Sequence, residues 1–198
     1  MIGRNRNMKR ILSVILMLAA LLCTVSCSRM ESSAVREIAQ PLIEESVKLD
    51  VILVGSGLPV SATEKNGKYV KVESDEYKCV EDIKQKLNTV YTMEQAQIMT
   101  NIALKGSSSE HGTIYARYID IDGALYMHSE TDVSVPYPRR YDFDTIETKS
   151  STDLRIVFTI DTYAANPDGS YATTPQNLEL KLIYDEVYRE WRLDTPTY

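Results

Sequence analysis

The residues able to do chemistry in this chain are few and scattered. Cys79 stands where a helix is expected to begin, just before Val80. A thiol at a helix N-terminus feels the positive end of the helix dipole, which favours thiolate. Glu81 and Asp82 in the same first turn oppose that second negative charge, and no catalytic-cysteine motif surrounds the position. Cys79 therefore reads as a cap or buried thiol rather than a nucleophile. A Cys–His hydrolase would need His111 or His128 beside it. His111 sits in a Ser-Ser-Ser-Glu-His-Gly loop and His128 closes a strand, without the helical or CxxC spacing of a zinc site. Both read as surface imidazoles. Asp120 and Asp122 bracket a turn, and Asp142 and Asp144 form a second pair. Neither pair carries the later ligands of an EF-hand or a sign of facing carboxylates across a cleft. No nucleophile elbow, P-loop or dinucleotide fingerprint is present. The chain is expected to be no enzyme and to need no cofactor and no metal.

The first 26 residues point to export. Arg4, Arg6, Lys9 and Arg10 precede an apolar run from Ile11 to Cys23, and Thr24-Val25-Ser26 lead into Cys27. A basic start, a short apolar core and a small-residue exit mark an export signal. The run is shorter than the ~20 apolar residues of a membrane span. The exit resembles a bacterial lipobox, with Ser26 before the acceptor Cys27 and Thr24 in place of the usual aliphatic residue. The resemblance implies diacylation of Cys27 and an extracytoplasmic, lipid-anchored protein. Residues 1–26 are then the signal, 27–33 a lipidated tether and 34–198 a single domain.

Removing the signal leaves 18 basic residues against 28 acidic ones, a formal charge of −10. Such a surface is a poor partner for nucleic acid or anionic lipid. With Cys23 removed and Cys27 acylated, Cys79 has no disulfide partner. Thirteen tyrosines against two phenylalanines suit half-exposed sheet faces and binding surfaces.

The elements that must position these residues read as helices followed by strands. Val35, Ile38, Ala39, Leu42 and Ile43 recur at helical spacing, with Pro41 expected to kink or restart the helix before Gly55 ends it. Residues 60–78 read as a loop with one strand near Tyr69–Val72. A second helix is expected from Val80, and a third from the capping box Thr92-Met93-Glu94-Gln95. The remainder reads as antiparallel strands, with Asp122-Gly123 the strongest hairpin signal and Trp191 expected in the core. The expected class is α+β, with N-terminal amphipathic helices packed on one curved antiparallel sheet. This order resembles the cystatin-like and NTF2-like folds.

A finer resemblance rests on Gly55-Ser56-Gly57-Leu58-Pro59, Tyr77-Lys78-Cys79-Val80-Glu81-Asp82-Ile83-Lys84, Val90-Tyr91-Thr92, Asp122-Gly123-Ala124-Leu125-Tyr126 and the closing Trp191-Arg192-Leu193-Asp194-Thr195-Pro196-Thr197-Tyr198. Taken in order, these pieces look like the IseA family of extracellular inhibitors of cell-wall DL-endopeptidases. Cys79 departs from the hydroxyl residue expected at that cap. The resemblance implies a cell-surface binding protein that blocks NlpC/P60-type peptidoglycan peptidases, its partner being such a peptidase or a peptidoglycan component. An inhibitor would present an acidic or tyrosine-bearing loop, and the candidates are Ser107–Gly112, Ser134–Arg140 and Ala165–Pro175. Their anchors are Tyr137 and Tyr141, and Asp168 and Tyr171. The alternative is a small-ligand or glycan-binding lipoprotein using a concave sheet face lined by Tyr115, Tyr126 and Phe158.

Overall fold

The computed structural model describes residues 29–109, 112–130, 139–166 and 168–197. The signal segment, Cys27, His111 and Tyr137 lie outside the described residues.

The class is α+β, as expected, but the strands form two four-stranded antiparallel sheets rather than one. Three helices are described: α1 (Ser32–Leu53), α2 (Val80–Val90) and α3 (Met93–Leu104). Sheet 1 has the order β1-β2-β6-β5, from β1 (Val60–Asn66), β2 (Tyr69–Val72), β5 (Tyr118–Ile121) and β6 (Ala124–His128). Sheet 2 has the order β10-β9-β8-β7, from β7 (Arg140–Ser151), β8 (Arg155–Tyr163), β9 (Gln176–Asp185) and β10 (Glu190–Leu193). A small hairpin of β3 (Ser107–Ser109) and β4 (Gly112–Ile114) stands apart from both.

The helices join the sheets. α1 packs on β7 and β10, α2 on β10 and β5, and α3 on β5. α1 runs antiparallel to β7, from Met30, whose N–H donates to Ser151 Oγ at 2.6 Å, past Ser32 beside Thr148, to Arg36 paired with Asp144. Val35, Ala39, Ile43 and Leu49 form its buried stripe, each at 0% exposure. The helix continues through Pro41 instead of restarting there. Pro41 and Glu37 are both exposed, so the carbonyl that the proline leaves unbonded can turn to water.

Sheet 2 contributes Ile156, Phe158, Ile160, Leu180 and Leu182 to the core, all at 0% exposure. Its inner face is therefore filled, and Phe158 lines no cavity. Tyr126 lies on sheet 1 and Tyr115 is exposed between β4 and β5, so the three residues of the expected cone do not meet. Trp191 is half-buried at the rim, edge-on to Tyr184 at 5.3 Å.

Residues 60–66, expected as loop, form β1, joined to β2 by the Asn66-Gly67 turn. Ahead of the Asp122-Gly123 turn, the chain expected as antiparallel strand is interrupted at Tyr115–Arg117, which separates β4 from β5. Arg117 explains the break, because its guanidinium is buried and donates to the Gly55 carbonyl at the end of α1. Tyr118 completes this clamp. Its hydroxyl donates to Ile52 O at 3.0 Å and accepts from Leu58 N–H at 3.0 Å. Asp122 and Gly123 both take positive φ (49° and 78°), which the two-residue β5–β6 hairpin requires.

Gly57 sits inside the clamp at φ +84°. A Cβ there would run into Met127 Sδ and lie 3.0 Å from Arg117 Nη2 and 3.1 Å from Tyr118 Oη. Gly57→Ala is expected to lose roughly 2–4 kcal/mol, about 1 from backbone and the rest from overpacking. Gly67→Ala, at φ +60° with nothing within 4 Å, should lose only about 1 kcal/mol. Urea midpoints of the two variants test this, and equal shifts would show that the clamp does not constrain Gly57.

Candidate functional site

The end of sheet 2 where β7 begins, β8 ends and β9 begins gathers the predicted loop residues. Arg140 and Tyr163 face each other across the β7–β8 pair. The segment between β8 and β9 folds back as a miniature hairpin. Ala165 bridges Tyr171, Ala172 N–H donates to Ala164 O at 2.9 Å, and Asn166 N–H donates to Ser170 O at 2.8 Å. At its tip Gly169 takes φ +81°, and the Asp168 carboxylate accepts from the Ser170 hydroxyl (2.7 Å) and N–H (2.9 Å). Those bonds hold the exposed Asp168 carboxyl below the usual range.

This hairpin brings Tyr171 over Arg140. The exposed guanidinium lies 4.3 Å from the Tyr163 ring and 5.3 Å from the Tyr171 ring. A cation between two aromatic faces is attracted to both and loses side-chain freedom before any partner arrives. Arg139 braces the strands beneath, donating from Nη1 to Gln176 Oε1 at 2.9 Å and Thr162 Oγ1 at 3.3 Å. The result is a surface in which Arg140 lies against the Tyr171 ring, with Asp168 exposed on the same hairpin. Arg140 was not singled out from sequence, because its partners come from β8 and a loop up to 31 positions away.

Tyr141 belongs elsewhere. It is half-buried and its hydroxyl donates to Thr197 O. It joins a buried polar knot in which Thr197 Oγ1 donates to Asp50 Oδ2 at 2.9 Å and lies 2.8 Å from Ser46 Oγ and 3.4 Å from Tyr91 Oη. The knot ties the C-terminal segment to α1 and to the α2–α3 junction. Asp50 is 5% exposed, and its Oδ1 has no hydrogen-bond partner among the described residues. Burial pushes its carboxyl up to about 7, and burial pushes the Tyr141 hydroxyl up to about 12.

The other sequence candidates have structural work. Asp82 forms the capping box with Cys79, accepting from Cys79 N–H at 3.0 Å and Lys78 N–H at 2.7 Å. Asp120 accepts from Val80 N–H at 2.9 Å, capping α2 from sheet 1. Thr92 caps α3 through Gln95 N–H, but its own N–H goes to Leu193 O at 2.8 Å, a strand carbonyl, in place of the expected Gln95 side chain. His128 is buried, not a surface imidazole. It stacks on Tyr115 at 4.7 Å, meets Tyr69 edge-on at 5.0 Å, and accepts from Glu130 N–H at Nδ1. Among the described residues no group of three or more His, Cys, Asp or Glu could hold a metal.

Two grooves open on the surface. One of about 400 Å³ is lined by Lys71, Asp75, Tyr77, Lys78 and the Gly123 turn. Its lysines are committed to Glu64 and to Ser74 O and Asp75. The other, about 450 Å³, lies between α1 and β7 beside Arg36 and Phe143. No protein-family model matches the chain, and no curated protein matches its sequence.

The knot makes stability depend on pH. The folded Asp50 carboxyl keeps its proton up to about pH 7, whereas the unfolded one releases it near pH 4. Its contribution is therefore full below about pH 4 and is lost as pH rises to about 7. Asp50→Asn should remove roughly 2–4 kcal/mol of that fall. The comparison is unfolding free energy at pH 5 and pH 8 for both proteins, and parallel curves would show that Asp50 is ionised in the fold.

Proposed function

We propose that this chain is a lipid-anchored cell-surface protein that binds and inhibits cell-wall DL-endopeptidases of the NlpC/P60 type. The observation that carries the reading is the Arg140 guanidinium held against the Tyr163 and Tyr171 rings, with Asp168 on the same hairpin as Tyr171, at the end of sheet 2 opposite the entry of α1. Arginine and tyrosine anchors held in place before binding are the residue types that dominate protein interfaces. The filled inner face of sheet 2 supports recognition through this loop surface rather than through a cavity. Inhibition would be steric: the hairpin of residues 164–172 covers the peptidase cleft, Tyr171 and Arg140 as anchors and Asp168 as the acidic contact. The formal charge of −10 on the mature chain favours a basic or open cleft over an anionic polymer. A small-ligand reading would use the groove beside Tyr77, but its lysines already have partners.

The purified domain should inhibit such a peptidase on a peptidoglycan substrate at micromolar concentration. Arg140→Ala and Tyr171→Ala should each weaken inhibition by roughly tenfold or more without moving the unfolding midpoint, because both side chains are exposed. A wild-type domain with no effect on hydrolysis would refute inhibition. Inhibition unchanged in both variants would move the binding surface elsewhere.

A further inference from the structure

The opposite end of sheet 2 carries a second surface. There the β7–β8 turn (152–154) and the β9–β10 turn (186–189) lie side by side, because Arg155 pairs with Ile183 and Glu190 with Asp185. Three large apolar or aromatic side chains project from them: Val187 at 84% exposure, Tyr188 at 69% and Leu154 at 47%. The longer turn carries Val187 and Tyr188 on an internal hydrogen-bonded frame, the Tyr188 ring lying 5.5 Å from the Arg192 guanidinium. The Asp185 carboxylate accepts from Val187 N–H (2.9 Å) and Tyr188 N–H (3.2 Å), and Arg189 N–H closes on Asp185 O at 2.7 Å. With the N–H groups of Val187, Tyr188 and Arg189 bonded within the turn, desolvating those three donors at the tip adds little hydrogen-bonding cost. Just behind it Tyr184 and Trp191 sit half-buried.

The same end receives the N-terminal segment, since Met30 N–H is bonded to Ser151 Oγ at 2.6 Å. Two residues, Ser28 and Arg29, separate Met30 from Cys27, a reach of about 10 Å at full extension. An acyl-bearing Cys27 at a bilayer surface therefore draws this end of sheet 2 down to the headgroups. Charges are mixed, with Asp153, Glu186 and Arg189 in the turns, Lys149 paired to Glu147 and Arg192 to Glu190, so no basic patch draws anionic lipid and the contact rests on the apolar and aromatic side chains. Tyrosine and tryptophan favour that boundary, with the ring among acyl chains and the polar tip in water.

We infer that the two turns bearing Leu154, Val187 and Tyr188 rest on the outer face of the membrane, with Val187 and Tyr188 seated among lipid headgroups. The inference rests on acylation of Cys27. The test uses the full acylated chain, its acyl groups verified by mass, in vesicles of phosphatidylcholine and phosphatidylglycerol. An environment-sensitive fluorophore is placed at Val187→Cys or at Asp168→Cys, in a Cys79→Ser background. The expected result is a blue-shifted Val187 probe, quenched severalfold more by headgroup spin-labelled lipid than the Asp168 probe. Trp191, the single tryptophan, gives the same readout in the unsubstituted chain and guards against variants that fail to fold. Equal water exposure at both positions of a verified acylated chain overturns the inference. So does protection of Val187 that grows with protein density but not with lipid quencher, which would place a second copy there. A chain recovered without acyl groups overturns the anchor itself and this inference with it.

Discussion

The helical layer packs on both sheets, and a buried clamp at the C-terminal end of α1 ties that layer to sheet 1. Helix ends leave carbonyls without partners and concentrate the negative end of the dipole. Here the Ile52 and Gly55 carbonyls are taken by Tyr118 and Arg117 of sheet 1. Among the described residues no carboxylate pairs with the buried Arg117 guanidinium, an arrangement that is costly unless a dipole and a carbonyl meet it, and the end of α1 supplies both. Gly57 is the accompanying requirement, since only a residue without Cβ leaves room for the two side chains. The position of sheet 1 follows from this clamp, and so does the capping of α2 by Asp120.

The polar knot fixes the other side of the same helix. Ser46 and Asp50 face inward one turn apart on α1 and meet a hydroxyl from the C-terminal segment and two tyrosines. An apolar contact could bury as much area, but it would not specify the register of the last residues so narrowly. A half-satisfied buried acid is the cost of that specificity. Protonation of the carboxyl, which burial favours, lowers that cost in acid.

Much of the architecture was legible because local periodicity and turn chemistry act within a few residues. The apolar stripe of α1, the caps of α2 and α3, and the Asp122-Gly123 hairpin all depend on neighbours in sequence. β1 escaped because Val60–Asn66 buries only Ser61 and has no apolar alternation to read. The break before β5 escaped because it serves a carbonyl at Gly55, 62 positions away. The candidate site divides in the same way. Asp168 and Tyr171 were legible as members of a turn-rich loop. Tyr141 looked equivalent to them but is bonded to Thr197, 56 positions away. Arg140 looked like an ordinary basic residue until β8 and the returning hairpin placed rings on it. The split into two sheets was equally hidden, since strand order is decided by long-range pairing.

The antiparallel passage of α1 along β7 has a geometric consequence for a chain held by its N-terminus. The entry of α1 and the Arg140 surface lie at opposite ends of the same strands, so in an anchored chain sheet 2 would act as a ruler. The nine residues of β8 span about 30 Å at ~3.3 Å per residue. That length would set how high above the lipid the Arg140 surface stands, and a leash of two residues between Cys27 and Met30 would allow little variation around it. A partner would then be selected by altitude as well as by shape. Enzymes working at that level of the wall would meet the hairpin repeatedly, while those bound flush to the bilayer or far out in the polymer would pass it by.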